Sequence, residues 1–467
     1  MKENKPTQIV INGDNIELLK KYPNNYFDSV VTDCPYGLGK EPNAEEMLGA
    51  WLKTGYLEVK GSGFMGKDWD SFVPQPIFWK EIYRVLKYGG HIVAFFGTRT
   101  YDWGCMAIRL GGFEIRDCIQ WVYGSGFPKS HNIGKAVDKL NIKENTDWNG
   151  WGSALKPANE PIVLARKPLE KGLSIAENVL KWGTGAINID ATRIGFKNEE
   201  DFKESTQKNQ HEDFGTKPMI NNNVYGDYSM IEPKNYKPSG RFPSNFIMSH
   251  HEDCEDSDCV NDCPIKILDQ QSGTLNEQGI SKSDNKSGWQ KNYVGGNGVN
   301  AVQRKLYLDK GGASRFFYVA KASQWERNYG LDEFEEKHIA WSNQAKAELK
   351  RGNNDFADEV KMFNKIKLRK NIHPTIKPIS LMQYLIRLVT QPNGIVLDAY
   401  AGSGTTGIAC KIDGFNFIGL EISQEYTDIA NQRIKSFNEE NLLLKETKIF
   451  KNKDKKNSNN HTELPFE

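Results

Sequence analysis

The sequence predicts an α/β protein built on a largely parallel sheet, whose two halves are encoded at opposite ends of the chain around a long insertion. Three observations carry this reading. Short apolar strands alternate with amphipathic helical stretches through the first third of the chain, the pattern of a parallel sheet covered on both faces. The same alternation resumes at Ser380. Between the two, apolar periodicity gives way to polar stretches rich in Asn, Gly, Ser and Lys, such as 196–240 and 272–312, which are too long for plain loops of a compact domain.

Gln8-Ile9-Val10-Ile11 reads as the first strand, and Asp14 as the cap of a short helix carrying Leu18 and Leu19. Residues 28–32 form a second buried strand that leaves Asp33 at its carboxyl end. Helical spacing runs from Trp79 to Leu86 and stops before Gly89-Gly90; residues 91–96 then form a continuous apolar strand closed by Gly97. In the looser middle, 160–165 and 316–319 survive as strand-like landmarks. After Ser380 come a helix through Leu388, the strand Ile395-Val396-Leu397, a helix from Thr405, a strand over 415–420 and a helix from Ser423 to Ser436. The end, KNKDKKNSNNHTE, reads as a flexible polar tail. The expected organisation is a catalytic half at 1–140, an inserted region at 141–370, a second half of the same domain at 371–440 and a tail at 441–467.

Bulk properties exclude some partners. A chain of 467 residues can bury one large core or several domains. Its 61 basic and 60 acidic side chains leave net +1, so any polyanion must meet a local basic face. No apolar run is long enough to span a bilayer and no charged-then-apolar leader follows Met1, which points to a soluble cytoplasmic protein without a membrane partner. Of seven cysteines, Cys34, Cys105, Cys118 and Cys410 are scattered and read as reduced thiols.

In open parallel sheets ligands bind beyond the carboxyl ends of the strands. Asp33, Gly97, Asp398 and Glu421 all fall at such ends, so one composite site is expected. In its later half, Asp398-Ala399-Tyr400-Ala401-Gly402-Ser403-Gly404 leads from a buried strand into a helix starting at Thr405. Gly402 and Gly404 let a ligand approach the backbone, and the helix start adds free N–H groups. The turn lacks the lysine of a phosphate-binding loop, and an aspartate precedes its first glycine by four residues. That suits a cation such as S-adenosylmethionine, with Glu421 placed to accept ribose hydroxyls. A purely structural strand–turn–helix is the plain alternative. In the earlier half, Asp33-Cys34-Pro35-Tyr36 offers two acceptors for an exocyclic amino group, the Asp33 carboxylate and the Cys34 carbonyl. Pro35 fixes the direction of that carbonyl, and the Tyr36 ring offers a face for a flipped base. An Asp-initiated turn with Tyr36 in the core is the alternative.

These segments together resemble the amino-methylating DNA methyltransferases of bacteria and phages, whose members carry Asp/Ser-Pro-Pro-Tyr and a Phe-x-Gly-x-Gly loop. Here Cys34 replaces the first proline and Tyr400 the phenylalanine; only a backbone carbonyl is needed at position 34, so the cysteine is tolerable. Asn12-Gly13-Asp14 resembles the element whose aspartate meets the cofactor adenine. His373-Pro374-Thr375-Ile376-Lys377-Pro378 resembles the family's His-Pro-Thr-x-Lys-Pro segment near the methionine moiety, which brings in His373, Thr375 and Lys377. The motif order matches the β arrangement of that family, with target recognition in the middle. The resemblance covers roughly residues 8–130 and 371–437. It implies a Rossmann-like S-adenosylmethionine-dependent methyltransferase fold with a large inserted target-recognition region, acting on double-stranded DNA in a restriction–modification setting, in a bacterial cell or phage-infected host. It leaves open a partner nuclease and a homodimer. The segment Cys118 to Lys129 resembles the strand and loop of phage-type members, with Trp121 or Tyr123 near the target base or simply in the core. Adenine is the expected target because position 33 is aspartate. Cytosine 4-amino methylation is the same-class rival, and a catalytically silent DNA-binding or regulatory module with this fold is the rival of another class.

The inserted region holds one further signal. His250-His251-x-x-Cys254-x4-Cys259-x3-Cys263 gathers five metal-ligating side chains within fourteen residues. One histidine with the three cysteines completes a tetrahedral structural zinc site, free thiols on a polar loop being the alternative. For DNA phosphates, Lys361, Lys365, Lys367, Arg369 and Lys370 form a basic run, although a solvated helix face is the simpler reading.

Overall fold

The computed structural model describes residues 6–37, 39, 41–59, 70–124, 130–140, 148–196, 199, 201–202, 239–251, 254, 259–273, 312–320, 326, 328–340, 366–373 and 376–437. Thr375, Lys361 and Lys365, the loop 125–129, most of the two polar stretches and the tail 441–467 lie outside the described residues. Along the chain the described strands are β1 (Gln8–Asn12), β2 (Phe27–Asp33), β3 (Leu86–Phe95), β4 (Glu114–Val122), β5 (Asn159–Arg166), β6 (Ile194–Gly195), β7 (Gly240–Arg241), β8 (Phe246–Ser249), β9 (Tyr318–Ala320), β10 (Lys337–Ala340), β11 (Ile366–Arg369), β12 (Ile395–Asp398) and β13 (Asn416–Glu421). Nine of them form one sheet in the order β1-β13-β12-β2-β3-β5-β4-β8-β9, while β6 pairs with β7 and β10 with β11 in two small ribbons.

The two ends of the chain are thus interleaved in one sheet. β12, from the later half, lies directly against β2, from the earlier one, with Leu397 opposite Val30. β1 pairs in parallel with β13, Ile11 opposite Leu420. The inserted region contributes to the same sheet through β5, β8 and β9. Parallel pairing holds throughout except at β5, which runs antiparallel to both β3 and β4.

Strand alternation explains why both faces are buried. Val31, Val93 and Val396 face one core, built with the helix Ile379–Val389 and residues Ile408 and Ile434. Their neighbours Val30, Ile92 and Leu397 face a second core, with Trp79, Ile82, Met47 and Trp51. The helix Pro76–Val85 has proline at its start, where the missing N–H costs no hydrogen bond, and it delivers Phe78, Trp79 and Ile82 to that second core. The expected strand at 91–96 begins earlier, at Leu86, and takes Gly89-Gly90 into its run. Gly89 has φ +78° and lies so close to Asn178 and Gly185 that a side chain there would collide; the glycines admit a close approach rather than end an element. The later helices match their expected positions, at Ile379–Val389, Thr405–Asp413 and Gln424–Ser436. Among the described residues no helix is long and apolar enough to cross a membrane.

Candidate active site

Asp33 is the last residue of β2 and Asp398 the last of β12, at adjacent strand ends. The Thr32 hydroxyl, 366 positions from Asp398 in sequence, donates to its Oδ1 at 2.7 Å. Around Asp33 lies a network of charges, with Lys377 buried and Asp33 and Glu160 partly so. Lys377 Nζ is 2.6 Å from Asp33 Oδ2 and 3.2 Å from Glu160 Oε2. The Tyr36 hydroxyl lies 3.0 Å from Asp33 Oδ1 and 2.6 Å from Glu160 Oε2, so its single hydrogen is shared between the two carboxylates. Tyr123 donates to Glu160 Oε1 at 3.2 Å. The rings of Phe95, Tyr36 and Trp121 surround the ammonium, with centroids 5.0, 5.5 and 5.9 Å away, a favourable setting for a desolvated cation. Burial works against the Lys377 charge, but the Asp33 and Glu160 carboxylates outweigh it and hold its pKa above the ordinary lysine value. Burial and the same two carboxylates push the Tyr36 phenol well up, so it remains a donor.

The turn after Asp33 is held from outside. Asp70 Oδ1 accepts the N–H groups of Tyr36 (2.9 Å) and Gly37 (3.0 Å), and the Thr100 hydroxyl donates to the Tyr36 carbonyl at 2.5 Å. Gly37 has φ +64° and its backbone packs against Phe72, a conformation that favours glycine. The Cys34 side chain is buried in the apolar core. Burial, followed by the charges of Asp33 and Asp398, pushes its thiol well up, so it is a poor nucleophile.

The glycine turn stands one strand away. Gly402 and Gly404 have φ +51° and +80°. Glu421, ending β13, accepts the N–H of Gly402 (3.0 Å) on one oxygen and that of Ser423 (2.9 Å) on the other; burial nonetheless raises its pKa. His373 lies against the turn, its Nε2 only 2.8 Å from where a Cβ on Gly402 would sit, and its ring meets Tyr426 edge-on at 4.8 Å. Tyr400 packs its partly buried ring on Phe78 at 5.4 Å. Thr405 opens the helix that follows. Arg433, fully buried, donates to the Ser403 carbonyl and hydroxyl and to the Glu326 carbonyl, bracing the turn from below. Asp14 caps the short helix Asn15–Leu19 by accepting the Glu17 N–H at 3.0 Å. It follows Gly13, whose N–H reaches the Glu421 carbonyl at 2.9 Å, so Asp14 stands two residues past the end of β1, beside Glu421 at the end of the neighbouring β13.

Asp398 carries a pH consequence. Burial raises its pKa to about 6, against hydrogen bonds from Thr406 (2.5 Å), Thr32 and the Tyr400 N–H (3.1 Å). A carboxyl raised in the fold favours the folded state fully below its unfolded pKa, near 4, and that contribution is lost as pH climbs through about 6. Asp398→Asn removes the titration. Urea unfolding of parent and variant from pH 4 to pH 7 is therefore expected to show the difference between them moving in the variant's favour, by about 2–3 kcal/mol. A constant difference would remove the linkage.

In the inserted region, His250, Cys254, Cys259 and Cys263 bring their ligand atoms within 4.8 Å of one another. His251 is not in this group; its Nε2 is 3.9 Å from Asp262 Oδ2.

The fold brings Asp33, Tyr36, Asp398, the glycine turn, Glu421, His373 and Lys377, all singled out in the sequence, into two adjoining clusters at one end of the parallel strands. The sequence does not anticipate Glu160, Asp70 or Arg433. Glu160 has a faint signal, a charged residue just before the apolar run 161–165.

A sequence profile described as DNA methylase, for N6 and N4 methyltransferases, matches residues 27–432. The chain belongs to this family. It is 28% identical over 198 residues to the type II methyltransferase M.HindIII of Haemophilus influenzae, covering 38% of this chain and 64% of that protein. It is 30% identical over 151 residues to M.HinfI of the same species, covering 32% and 37% respectively. The chain thus spans less than two thirds of either relative's length. Among solved structures, the cytosine-N4-specific PvuII DNA methyltransferase aligns over 94% of this chain and 93% of its own, at 14% identity and a TM-score of 0.38.

Proposed function

We propose that this chain is a site-specific DNA methyltransferase that moves a methyl group from S-adenosylmethionine to the exocyclic amino group of a flipped adenine in double-stranded DNA. Beside the family assignment, one observation carries the reading: the Asp33 end of β2 and the glycine-turn end of β12 are neighbours, tied by the Thr32–Asp398 hydrogen bond.

The residues present fit an adenosyl cation. Asp14, Asp398 and Glu421 stand at adjoining strand ends around a turn whose two positive-φ glycines leave the backbone open and which carries no lysine. Acidic groups there suit an ammonium and a sulfonium and disfavour a triphosphate. His373, Tyr400 and Thr405 would complete the cradle. When bound, the cofactor supplies an electrophilic methyl group on sulfur.

The chain's own residues do the rest. A base attacked at its amino group must leave the stack. Asp33 would accept one amino hydrogen and the Cys34 carbonyl the other, which draws the nitrogen lone pair out of conjugation and frees it to attack. Asp33 would then accept the proton lost on transfer. Tyr36, its hydroxyl anchored by Glu160, holds its ring at a fixed angle for stacking. The aspartate at position 33 is the ground for adenine.

The test is to incubate the chain with duplex DNA and methyl-labelled S-adenosylmethionine, then read the products by single-molecule sequencing. N6-methyladenine in one fixed context is expected. N4-methylcytosine would overturn the choice of base, and DNA that gains no label would overturn the activity.

A further inference from the structure

We propose that His250, Cys254, Cys259 and Cys263 bind one zinc ion, and that this ion locks the helix Pro264–Ser272 of the inserted region onto the carboxyl end of β8, beside the candidate active site. The donor atoms are already gathered. His250 Nδ1 lies 3.3 Å from Cys259 Sγ and 3.5 Å from Cys263 Sγ. Zinc–sulfur and zinc–nitrogen bonds of about 2.3 and 2.0 Å at tetrahedral angles put neighbouring N and S ligands roughly 3.5 Å apart, so an ion enters with little movement of these side chains. All three cysteines are free thiols here. Three sulfurs and one imidazole are a closed, four-ligand set of the structural kind, with no position left for a substrate. Three thiolates around a dication leave one net negative charge, and a cation stands next to them: Lys266 Nζ hydrogen-bonds the Cys259 carbonyl at 2.9 Å.

The local fold gives the ion something to hold. Met248, Cys254, Cys263 and Ile265 form a small buried cluster, joined by Phe246, Val260, Leu268, Phe317 and Val319. It is separate from the two large cores of the sheet and too small to fix an inserted region by burial alone. The four ligands come from three places along the chain. His250 follows the last residue of β8, Cys254 and Cys259 lie in the connecting segment, and Cys263 is the N-cap of the helix Pro264–Ser272. An ion bonded to all four fastens that helix to the end of β8. The neighbour of His250, Ser249, accepts the Trp121 indole N–H at 2.8 Å, and the Trp121 ring faces Lys377. The metal is structural, yet only two side chains separate it from the Asp33 pocket. This inference does not rest on the methyl-transfer reading, since its readout is metal content.

The experiment uses the full chain, expressed in medium containing both zinc and iron and purified under reducing conditions without chelator. Elemental analysis by plasma mass spectrometry is expected to find about one zinc per chain. Cys263→Ser and His250→Ala should each drop this below about one tenth, whereas His251→Ala, outside the ligand set, should retain it. Should the ligand variants fail to fold, the parent chain decides: mercurial release of zinc followed by cobalt is expected to give the visible absorption and sulfur-to-metal charge-transfer bands of a tetrahedral thiolate site. Iron at this stoichiometry would overturn the zinc assignment. A parent chain free of metal that gives no cobalt bands would overturn the site, as would an intact mass lighter by the two hydrogens of a disulfide. Zinc retained in a folded His250→Ala but lost in His251→Ala would overturn the choice of histidine.

Discussion

Asp33→Ala is expected to slow methyl transfer by a factor of about 10³ or more while cofactor affinity stays within a few-fold of the parent. Removing one well-placed hydrogen-bonding partner from a transition state typically costs about 10²–10³ in rate. Here the loss is compounded, because the Lys377 ammonium that hydrogen-bonds Asp33 at 2.6 Å stays behind. A positive charge would then stand where an acceptor is needed, next to a nitrogen that becomes cationic as it attacks. The glycine turn does not depend on Asp33. Gly402 and Ser423 hydrogen-bond Glu421, and Thr32, Tyr400 and Thr406 hydrogen-bond Asp398, so cofactor binding should survive. Lys377 also keeps Glu160 as a partner, which limits the damage to the fold. Single-turnover rates with labelled cofactor, set beside calorimetric cofactor affinities, separate the two effects. A parental rate in this variant would take Asp33 out of the mechanism. Equal losses of rate and cofactor affinity would make it a structural residue.

Much of this site was legible from residue order because of how a parallel sheet works. Asp33, Asp398 and Glu421 each end an apolar run, and parallel strands deliver their carboxyl ends to one edge. Glu160 escaped for the converse reason. β5 runs backwards between β3 and β4, so its beginning, not its end, reaches the active edge, and a rule about carboxyl ends looks at Arg166 instead. Arg433 was hidden because its partners, the Ser403 and Glu326 carbonyls, are backbone groups far away in sequence. Adjacent His250 and His251 are equivalent in a spacing argument, and only the direction of the chain leaving β8 separates them. For Lys377 the order of motifs gave the right neighbourhood and a partner near the methionine group. Its hydrogen bonds instead run to Asp33 and Glu160.

That difference can be tested on charge. Lys377 lies between two carboxylates in a pocket lined by Phe95, Trp121 and Tyr36. In Lys377→Met the ammonium that hydrogen-bonds Asp33 Oδ2 and Glu160 Oε2 is gone, so two like charges face each other and Asp33 loses the charge-assisted bond that fixes one of its oxygens. Methyl transfer is therefore expected to slow by about 10–100-fold, with the KM for the cofactor within a few-fold of the parent's. Lys377→Arg keeps the charge but not the shape, so it should keep only part of the rate. The double variant Lys377→Met with Glu160→Gln removes one charge of each sign and should regain part of the rate lost in the single variant, a coupling that separate structural damage would not produce. Were Lys377 there to grip the methionine end of the cofactor, its loss would raise the KM for that cofactor and the second substitution would restore nothing. The split between rate and KM thus decides whether this lysine belongs to the cofactor or holds the Asp33 carboxylate in place.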